Sequence, residues 1–211
     1  VPVPAPLHAQ AQRSTMARIM TTIALLGTGL LGAGMVDNLL AKGHSVRIWN
    51  RTRAKLAPLV QKGATAANDP ADCVRSAARV HLVLAEDDAV DAVVAALRPG
   101  LGAGVPLLDH STNLPMRVQS RFAALRAAGV RYLPAPVFMS PANAREASGL
   151  MLLGGPAADH AALQADLQTM TGKLLWVGER TDLAAVYKLA GNSVFFALAA
   201  AMADVLAIGA G

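Results

Sequence analysis

Short apolar runs alternate with segments of helical periodicity along the first two thirds of the chain. The runs predict strands over residues 19–26, 46–49, 64–66, 80–84, 105–108 and 130–133. The segments between them predict helices over residues 32–42, 52–61, 70–76, 89–97 and 114–128. Strands that alternate with helices of about ten residues are typical of repeated βαβ units. The pattern therefore predicts an α/β fold with a mostly parallel, doubly wound sheet.

The pattern changes after residue 134. A proline-containing loop leads to a predicted strand over 150–153, a helix over 156–170 and a last strand over 174–177. From residue 181 to the end, the sequence favours one long helix of roughly 42 Å at 1.5 Å per residue. We expect its most apolar stretch, 194–203, to be a buried core helix, because a membrane span needs about 18 or more apolar residues. A helix this long and apolar needs a surface to pack against, so we infer that the chain is cut short or that a second subunit covers the helix.

Composition narrows the class of protein. Apolar residues make up 54% of the chain and charged residues 16%, which excludes a disordered, solvated chain. The single cysteine excludes a disulfide framework, and scattered histidines predict no metal site. The net charge of +5 is spread without a Lys/Arg block, so neither nucleic acid nor a membrane is an expected partner.

The chain divides into three predicted parts. Residues 1–18 are rich in proline and polar residues and lack the apolar core of a secretory signal, so we expect a disordered extension and a cytoplasmic protein. Residues 19–180 form the predicted α/β domain. Residues 181–211 are expected to begin a C-terminal helical domain that is incomplete in this sequence.

The strongest motif is a glycine-rich loop between the first predicted strand and the first predicted helix. It reads Gly27-Thr28-Gly29-Leu30-Leu31-Gly32. In this context the glycines have separate roles: Gly27 makes the tight turn, Gly29 lets a pyrophosphate approach, and Gly32 lets the helix pack on the sheet. The start of the helix presents free N–H groups to the anion. The motif therefore predicts a dinucleotide site.

The end of the second predicted strand indicates which dinucleotide binds. An NAD site usually places an acidic residue there to accept from the ribose hydroxyls, whereas this strand continues into Asn50, Arg51 and Thr52. Asn50 does not repel a 2′-phosphate, Arg51 can pair with it, and Thr52 adds a hydroxyl. Lys55 lies one helical turn past Arg51. These residues favour NADP(H).

Several blocks in the right order resemble the β-hydroxyacid dehydrogenase family over about residues 19–211. This family includes 3-hydroxyisobutyrate dehydrogenase and glyoxylate/succinic semialdehyde reductases, and shares the NAD-binding domain type of 6-phosphogluconate dehydrogenase. The blocks are LLGTGLLGAGM, GHSVRIWNRT, LVLAEDDAV, DHST and YKLAGN. The resemblance implies a Rossmann-type sheet followed by the first long helix of an all-helical second domain, through which the chain would form a homodimer.

The resemblance also implies roles for individual residues. Leu84 and Ala85 would lie against the cofactor. Ser111 would act near the substrate, and Thr112 near substrate and nicotinamide. Lys188 and Asn192 match the K-x-x-x-N of the family's catalytic helix, where the lysine serves as the acid or base for a small carbonyl substrate.

The spacing of Lys188 and Asn192 also makes chemical sense by itself. Residues i and i+4 share one helix face, so an ammonium and a carboxamide can hydrogen-bond one substrate oxygen together. A lysine used in this way works best when desolvation lowers its pKa toward the working pH. Together with this chemistry, the resemblance implies an NADP(H)-dependent oxidoreductase that interconverts a semialdehyde or 2-oxoacid with its hydroxyacid.

Two alternatives remain open. The family's S-G-G turn after A-P-V is replaced here by Phe138-Met139-Ser140, which adds an apolar wall and favours a bulkier or less acidic substrate. That change keeps an imine reductase-like enzyme as one alternative, although such enzymes commonly lack a lysine at position 188. The other alternative is a catalytically incomplete module that binds NADP without turnover.

Overall fold

The computed structural model describes residues 21–209, so the extension predicted over 1–18 lies outside the described residues. The strands are β1 (Thr22–Leu26), β2 (Ser45–Trp49), β3 (Thr65–Ala66), β4 (Arg79–Leu82), β5 (Pro106–Asp109), β6 (Arg131–Pro134), β7 (Val137–Phe138), β8 (Leu150–Leu153) and β9 (Lys173–Trp176). The α-helices are α1 (Leu30–Ala41), α2 (Ala57–Val60), α3 (Pro70–Val74), α4 (Asp87–Leu97), α5 (Pro115–Ala127), α6 (Pro141–Glu146), α7 (Ala157–Gln168) and α8 (Leu183–Gly209).

Six parallel strands form the main sheet in the order β3-β2-β1-β4-β5-β6. Two apolar clusters cover its faces, one built around Ile23, Leu25 and α1, the other around Ala24, Leu26 and α4. The strand order reverses between β1 and β4, and ligands of such sheets bind in the crevice beyond the carboxyl ends of the strands at that point. The predicted doubly wound sheet is confirmed.

The helix predicted over 52–61 is wrong in form. The segment is a 3₁₀ turn, Arg53–Lys55, followed by the short helix α2. Pro58 in the first turn of α2 has no N–H to donate to the preceding turn, so one continuous helix cannot form.

The loop predicted after residue 134 contains two elements that the prediction missed. Strand β7 pairs antiparallel with β8, and β8 pairs parallel with β9, which makes a second, three-stranded sheet. Helix α6 begins with a capping box between Ser140 and Asn143 and packs against α1. The sequence did not indicate either element, for two reasons. The prolines at 134, 136 and 141 are typical of a loop, and β7 has only two residues and α6 only six.

The expectation that residues 194–203 form a buried core helix is wrong for the described chain. They lie in α8, whose only buried residues are Ala184 and Ala185, and every residue from Ser193 to Gly209 is exposed. The helix α8 is also long and apolar enough to cross a membrane, but core helices of soluble proteins meet the same two criteria. The apolar stretch 194–203 is shorter than a span, but the helix continues through Asn192 and Asp204 on either side of it.

Candidate functional site

The three glycines of the loop between β1 and α1 have distinct surroundings. Gly27 has a φ of +102°, and a Cβ there would lie 2.2 Å from the Val83 carbonyl oxygen. A Cβ at Gly32 would lie 2.0 Å from the Gly27 carbonyl oxygen. At Gly29, a Cβ would meet nothing within 4 Å. Gly27 and Gly32 are therefore needed for close backbone packing, whereas Gly29 borders open space that a ligand can fill.

The start of α1 offers unpaired N–H groups to that space. The first intrahelical bond runs from Ala33 N–H to the Gly29 carbonyl at 2.8 Å, so the preceding N–H groups have no helical acceptor. The N–H of Thr28 is already used, since it donates to Asn50 Oδ1 at 3.1 Å. Asn50 thus ties the loop to the end of β2, and N–H groups from Leu30 onward remain for an anion.

A cleft of about 640 Å³, the nucleotide cleft, opens beside this loop. It collects most residues predicted to bind the cofactor, namely Gly27, Gly29, Leu30, Leu31, Gly32, Asn50, Arg51, Thr52, Lys55, Leu84 and Ala85. Thr28 does not line it and is buried. Its volume and mixed lining suit a dinucleotide.

The apolar wall of the nucleotide cleft was missed by sequence reasoning. It consists of Trp49, Pro70, Val83, Ala89, Ala92, Val93 and Ala96. Four of these lie on α4 at spacings i, i+3, i+4 and i+7, which puts them on one helix face. Small residues at that spacing were the available signal, but the same pattern is typical of ordinary helix packing.

The charged residues at the end of β2 face solvent beside this cleft. Arg51, Thr52 and Lys55 are all exposed. Among the described residues, neither the Arg51 guanidinium nor the Lys55 ammonium has an ion-pair partner. The Asn50 amide donates to the Thr52 carbonyl at 3.1 Å. Two unneutralised cations at the mouth of the cleft suit a phosphate group.

Residues Asp109 to Asn113, the Asp109–Asn113 turn, support the other side of the cleft. The buried Asp109 carboxylate accepts from the Ser111 N–H at 3.0 Å, from Asn113 Nδ2 at 2.8 Å and from the Tyr132 hydroxyl at 2.7 Å. The Ser111 hydroxyl accepts from the Leu84 N–H at 3.0 Å and is itself buried. Ser111 therefore holds the cleft-lining backbone at Leu84, and its hydroxyl is engaged there.

A smaller cleft of about 330 Å³ adjoins the nucleotide cleft at Ala85, which lines both. Thr112 and Leu189 also line it, together with the acidic start of α4. The structure therefore brings the Asp109–Asn113 turn and α8 together at the smaller cleft. Lys188, the neighbour of Leu189, is not itself among the residues lining either cleft.

Lys188 and Asn192 form the pair that their spacing predicts. Lys188 Nζ donates to Asn192 Oδ1 at 3.0 Å. Partial burial lowers the pKa of Lys188 from its ordinary value. A lysine with a lowered pKa beside an amide can hold or release a proton at a substrate oxygen.

Phe138 completes the surroundings of this lysine. Its ring centroid lies 4.1 Å from Lys188 Nζ, a cation–π distance, and 6.2 Å from the ring of Phe195. The ring occupies space that Gly191 leaves open, because a Cβ at Gly191 would lie 2.5 Å from Phe138 Cζ. Gly191 therefore has a specific role, which is to let β7 place an aromatic wall against the face of α8 that carries Lys188.

Metal chemistry has no support in the described part of the chain. Between residues 21 and 209, no three His, Cys, Asp or Glu side chains are grouped so that they could hold a metal ion. The cysteine, Cys73, is buried, and burial raises its pKa to about 12, so it is a poor nucleophile.

A family model described as the NAD-binding domain of 6-phosphogluconate dehydrogenase matches residues 22–178. The chain is similar to 3-sulfolactaldehyde reductase of Escherichia coli, with 30% identity over 188 residues that cover 88% of this chain and 63% of that protein. It is also similar to 3-hydroxyisobutyrate dehydrogenase of Pseudomonas aeruginosa, with 32% identity over 193 residues that cover 90% and 64%.

Among solved structures, the imine reductase of Streptomyces aurantiacus superimposes with a TM-score of 0.78 at 27% identity, covering 83% of this chain and 62% of that one. The chain thus spans less than two thirds of the length of the curated relatives named above. The range that the family model matches, 22–178, includes the whole main sheet.

Proposed function

This chain belongs to the family of the NAD-binding domain of 6-phosphogluconate dehydrogenase, within the β-hydroxyacid dehydrogenases, and we propose that it serves an NADP(H)-dependent oxidoreductase. The proposed reaction interconverts a small carbonyl compound, a semialdehyde or 2-oxoacid, with its hydroxyacid. The observation that carries the proposal is the Lys188–Asn192 pair on α8, the helix whose Leu189 lines the smaller cleft.

The proposed roles follow from the geometry. A bound nicotinamide cofactor would supply or accept hydride at the substrate carbon. Lys188 would give its proton to the developing alkoxide during reduction and, as a neutral amine, would take the hydroxyl proton during oxidation. Asn192 would orient Lys188 and share the substrate oxygen. Thr112 lines the smaller cleft beside Leu189, and Ser111 would act by fixing Leu84 rather than by touching the substrate.

The preference for NADP(H) over NAD(H) rests on the free cations at the end of β2. Arg51 and Lys55 line the nucleotide cleft, and their charges are unneutralised by the described residues. A 2′-phosphate placed there would gain charge-assisted hydrogen bonds, whereas a 2′-hydroxyl would gain much less.

The domain organisation and the assembly are part of this proposal. Residues 19–180 would form the dinucleotide-binding domain and residues 181–211 the start of a helical second domain. The exposed apolar face of α8, which includes Phe195, Phe196 and Leu206, would be covered in a homodimer of a cytoplasmic protein.

Phe138 favours a second candidate. Its ring lies against Lys188. The part of the substrate next to the reacting carbon would therefore meet an aromatic face. Such a wall suits an uncharged ketone or an imine, as in an imine reductase-like enzyme, better than a 2-oxoacid.

Cofactor titration followed by a substrate panel tests the proposal. We expect NADPH fluorescence to report tighter binding than NADH, and glyoxylate or succinic semialdehyde to be reduced. Because α8 leaves the site open on one side, the assay is repeated across a series of protein concentrations, where a covering partner would raise the specific activity. Tight NADPH binding without turnover on any carbonyl or imine would instead support the module that binds without catalysis.

Substituting Phe138 separates the two enzymatic candidates. If the ring excludes acids, Phe138→Ser raises kcat/KM for glyoxylate relative to a ketone without charge by about tenfold or more. Phe138→Tyr keeps the aromatic face and serves as the control. An unchanged ratio in both variants would remove the reason for the second candidate.

A further inference from the structure

Two buried histidines take no part in the proposed chemistry, and they contact each other. His81 lies on β4 and His110 in the Asp109–Asn113 turn, and their exposed fractions are 0% and 3%. His81 Nδ1 lies 2.8 Å from His110 Nε2, and the ring planes differ by only 10°. The rings are therefore nearly parallel and joined through their edge nitrogens.

Their neighbours fix which nitrogen of each ring carries the proton. Arginine can only donate, so Arg79 Nε, 3.2 Å away, requires His81 Nε2 to accept. At the other end the Ala135 carbonyl can only accept, so His110 Nδ1, at 2.7 Å, must donate. Both ends then require the same arrangement, with His81 Nδ1–H donating to His110 Nε2. Every ring nitrogen is satisfied when both histidines are neutral.

The resulting chain of hydrogen bonds runs from the protein surface to the buried Ala135 carbonyl. Asp166 on α7 pairs with Arg79 at 3.2 Å and is itself mostly exposed. The inner end fixes Ala135, the residue between β6 and the segment that carries Phe138. His110 also lies next to Ser111, whose hydroxyl holds the Leu84 N–H at the wall of the nucleotide cleft.

A proton added to the histidine pair would have no hydrogen-bond acceptor among the groups that contact the rings. On His81 it would face the Arg79 N–H, and on His110 it would face the His81 N–H. Burial, His110, Arg79 and His44 hold the pKa of His81 well below its usual value. Burial also lowers the pKa of His110, against the opposing effects of the Ala135 carbonyl and the Asp109 carboxylate. Asp166 is the remaining charged group, and Arg79 lies between it and the rings.

We propose that His81 is a positioning residue for the nucleotide cleft: the neutral, directionally bonded His81–His110 pair fixes the Asp109–Asn113 turn, so a proton added to the pair loosens the cofactor site. The inference deepens the proposed function, because it assumes that the nucleotide cleft binds NADP(H). It adds acid sensitivity to that binding and assigns it to two named side chains.

Imidazole ¹⁵N NMR of the full chain tests the pair without any ligand. Near neutral pH we expect both rings to be neutral with the proton on Nδ1, and to stay so as the pH falls to about 6.5, the ordinary pKa of a histidine. A proton on Nε2 of either ring, or an imidazolium in the pair at neutral pH, would overturn the proposal. This result stands even if NADPH fails to bind, in which case the proposed function fails separately.

Two substitutions then connect the pair to cofactor binding. His81→Leu removes both bonds and should weaken NADPH binding by roughly two- to tenfold, the effect of one hydrogen bond. His81→Gln keeps a donor and an acceptor at this position and should bind NADPH nearly as the parent does, as should the control His160→Gln.

The pH dependence distinguishes positioning from simple packing. As the pH falls through the midpoint of the pair measured by NMR, the parent Kd should rise toward that of His81→Leu, which should change less. The titration is repeated with NADH, which has no 2′-phosphate of its own to titrate. Equal losses of NADPH affinity in His81→Leu and His81→Gln would contradict the proposal, as would a parent Kd that does not follow the midpoint. If His81→Leu fails to fold, the NMR result and His81→Gln still decide.

Discussion

The nucleotide cleft and the helix that carries Lys188 are built in opposite ways. The cleft is formed by loops that leave buried parallel strands, and two of its glycines, Gly27 and Gly32, lie close against backbone atoms. Helix α8 is buried at only two alanines, and its last turns are wholly exposed. The proposed cofactor site is therefore fixed by the sheet, whereas the proposed reaction site depends on one helix that is held near its start.

This difference indicates which properties should be separable by mutation. Residues of the cleft should affect cofactor affinity without affecting chemistry, and residues of α8 should do the reverse. Packing explains the division, since a buried strand end cannot move without disturbing the core, whereas an exposed helix can.

Lys188→Met makes the sharpest test of this division. It keeps the bulk of the side chain and removes the acid, so turnover should fall by about 10²- to 10⁴-fold while NADPH affinity stays nearly the same. Steady-state kinetics and a fluorescence titration measure the two quantities. Asn192→Ala should lower turnover less than Lys188→Met does, and part of its effect should appear as a higher KM. If Lys188→Met keeps more than about a tenth of the parent turnover, the lysine is not the acid.

Gly29→Val tests the cleft from the other side. The backbone at Gly29 has a φ of −67°, and a Cβ there meets nothing, so the fold should survive. The branched side chain would occupy the phosphate space, and NADPH affinity should fall by more than about tenfold. Circular dichroism and a titration check the two expectations. NADPH binding within about threefold of the parent would show that the loop is not the phosphate site.

Arg51→Ala refines the cofactor preference. A hydrogen bond to a charged group contributes about 1.5–3 kcal/mol, so NADPH binding should weaken by roughly ten- to hundredfold and NADH binding should barely change. Arg53→Ala is the matched control, because Arg53 is exposed nearby but does not line the cleft. Equal losses for NADPH and NADH would show that Arg51 does not recognise the 2′-phosphate.

The smallest expected effect concerns stability against pH. The pKa of His81 and of His110 lies below 6.5 in the folded chain, so the unfolded chain binds more protons in acid. Their contribution to the free energy of unfolding is therefore complete above about pH 6.5. It is lost as the pH falls toward their pKa in the folded chain, by up to about 1.4 kcal/mol per pH unit for each histidine. Urea unfolding at several pH values measures this slope. His81→Gln should reduce the slope, and an unchanged slope would assign it to other groups.

Most of the residues that the sequence predicted to bind the cofactor line one cleft in the structure, and there is a physical reason for this. A strand, three glycines at fixed spacing and a helix satisfy local backbone requirements, so they can be predicted without the rest of the chain. Residues that reach the cleft from farther along the sequence were harder to predict. The alanines of α4 line it only because α4 packs beside β1 and β4, and β7 was missed because two residues carry no periodicity.

The sequence by itself determined the glycine loop and the i, i+4 pairing of Lys188 with Asn192, because both depend on local geometry, and the alternation of strands and helices indicated the parallel sheet. Tertiary structure alone decided that Gly191 makes room for Phe138, that Ser111 is turned toward Leu84 and that His81 meets His110. Those contacts join residues 27 to 53 positions apart. Their partners are chosen by how strands and helices pack against each other, which no local pattern encodes.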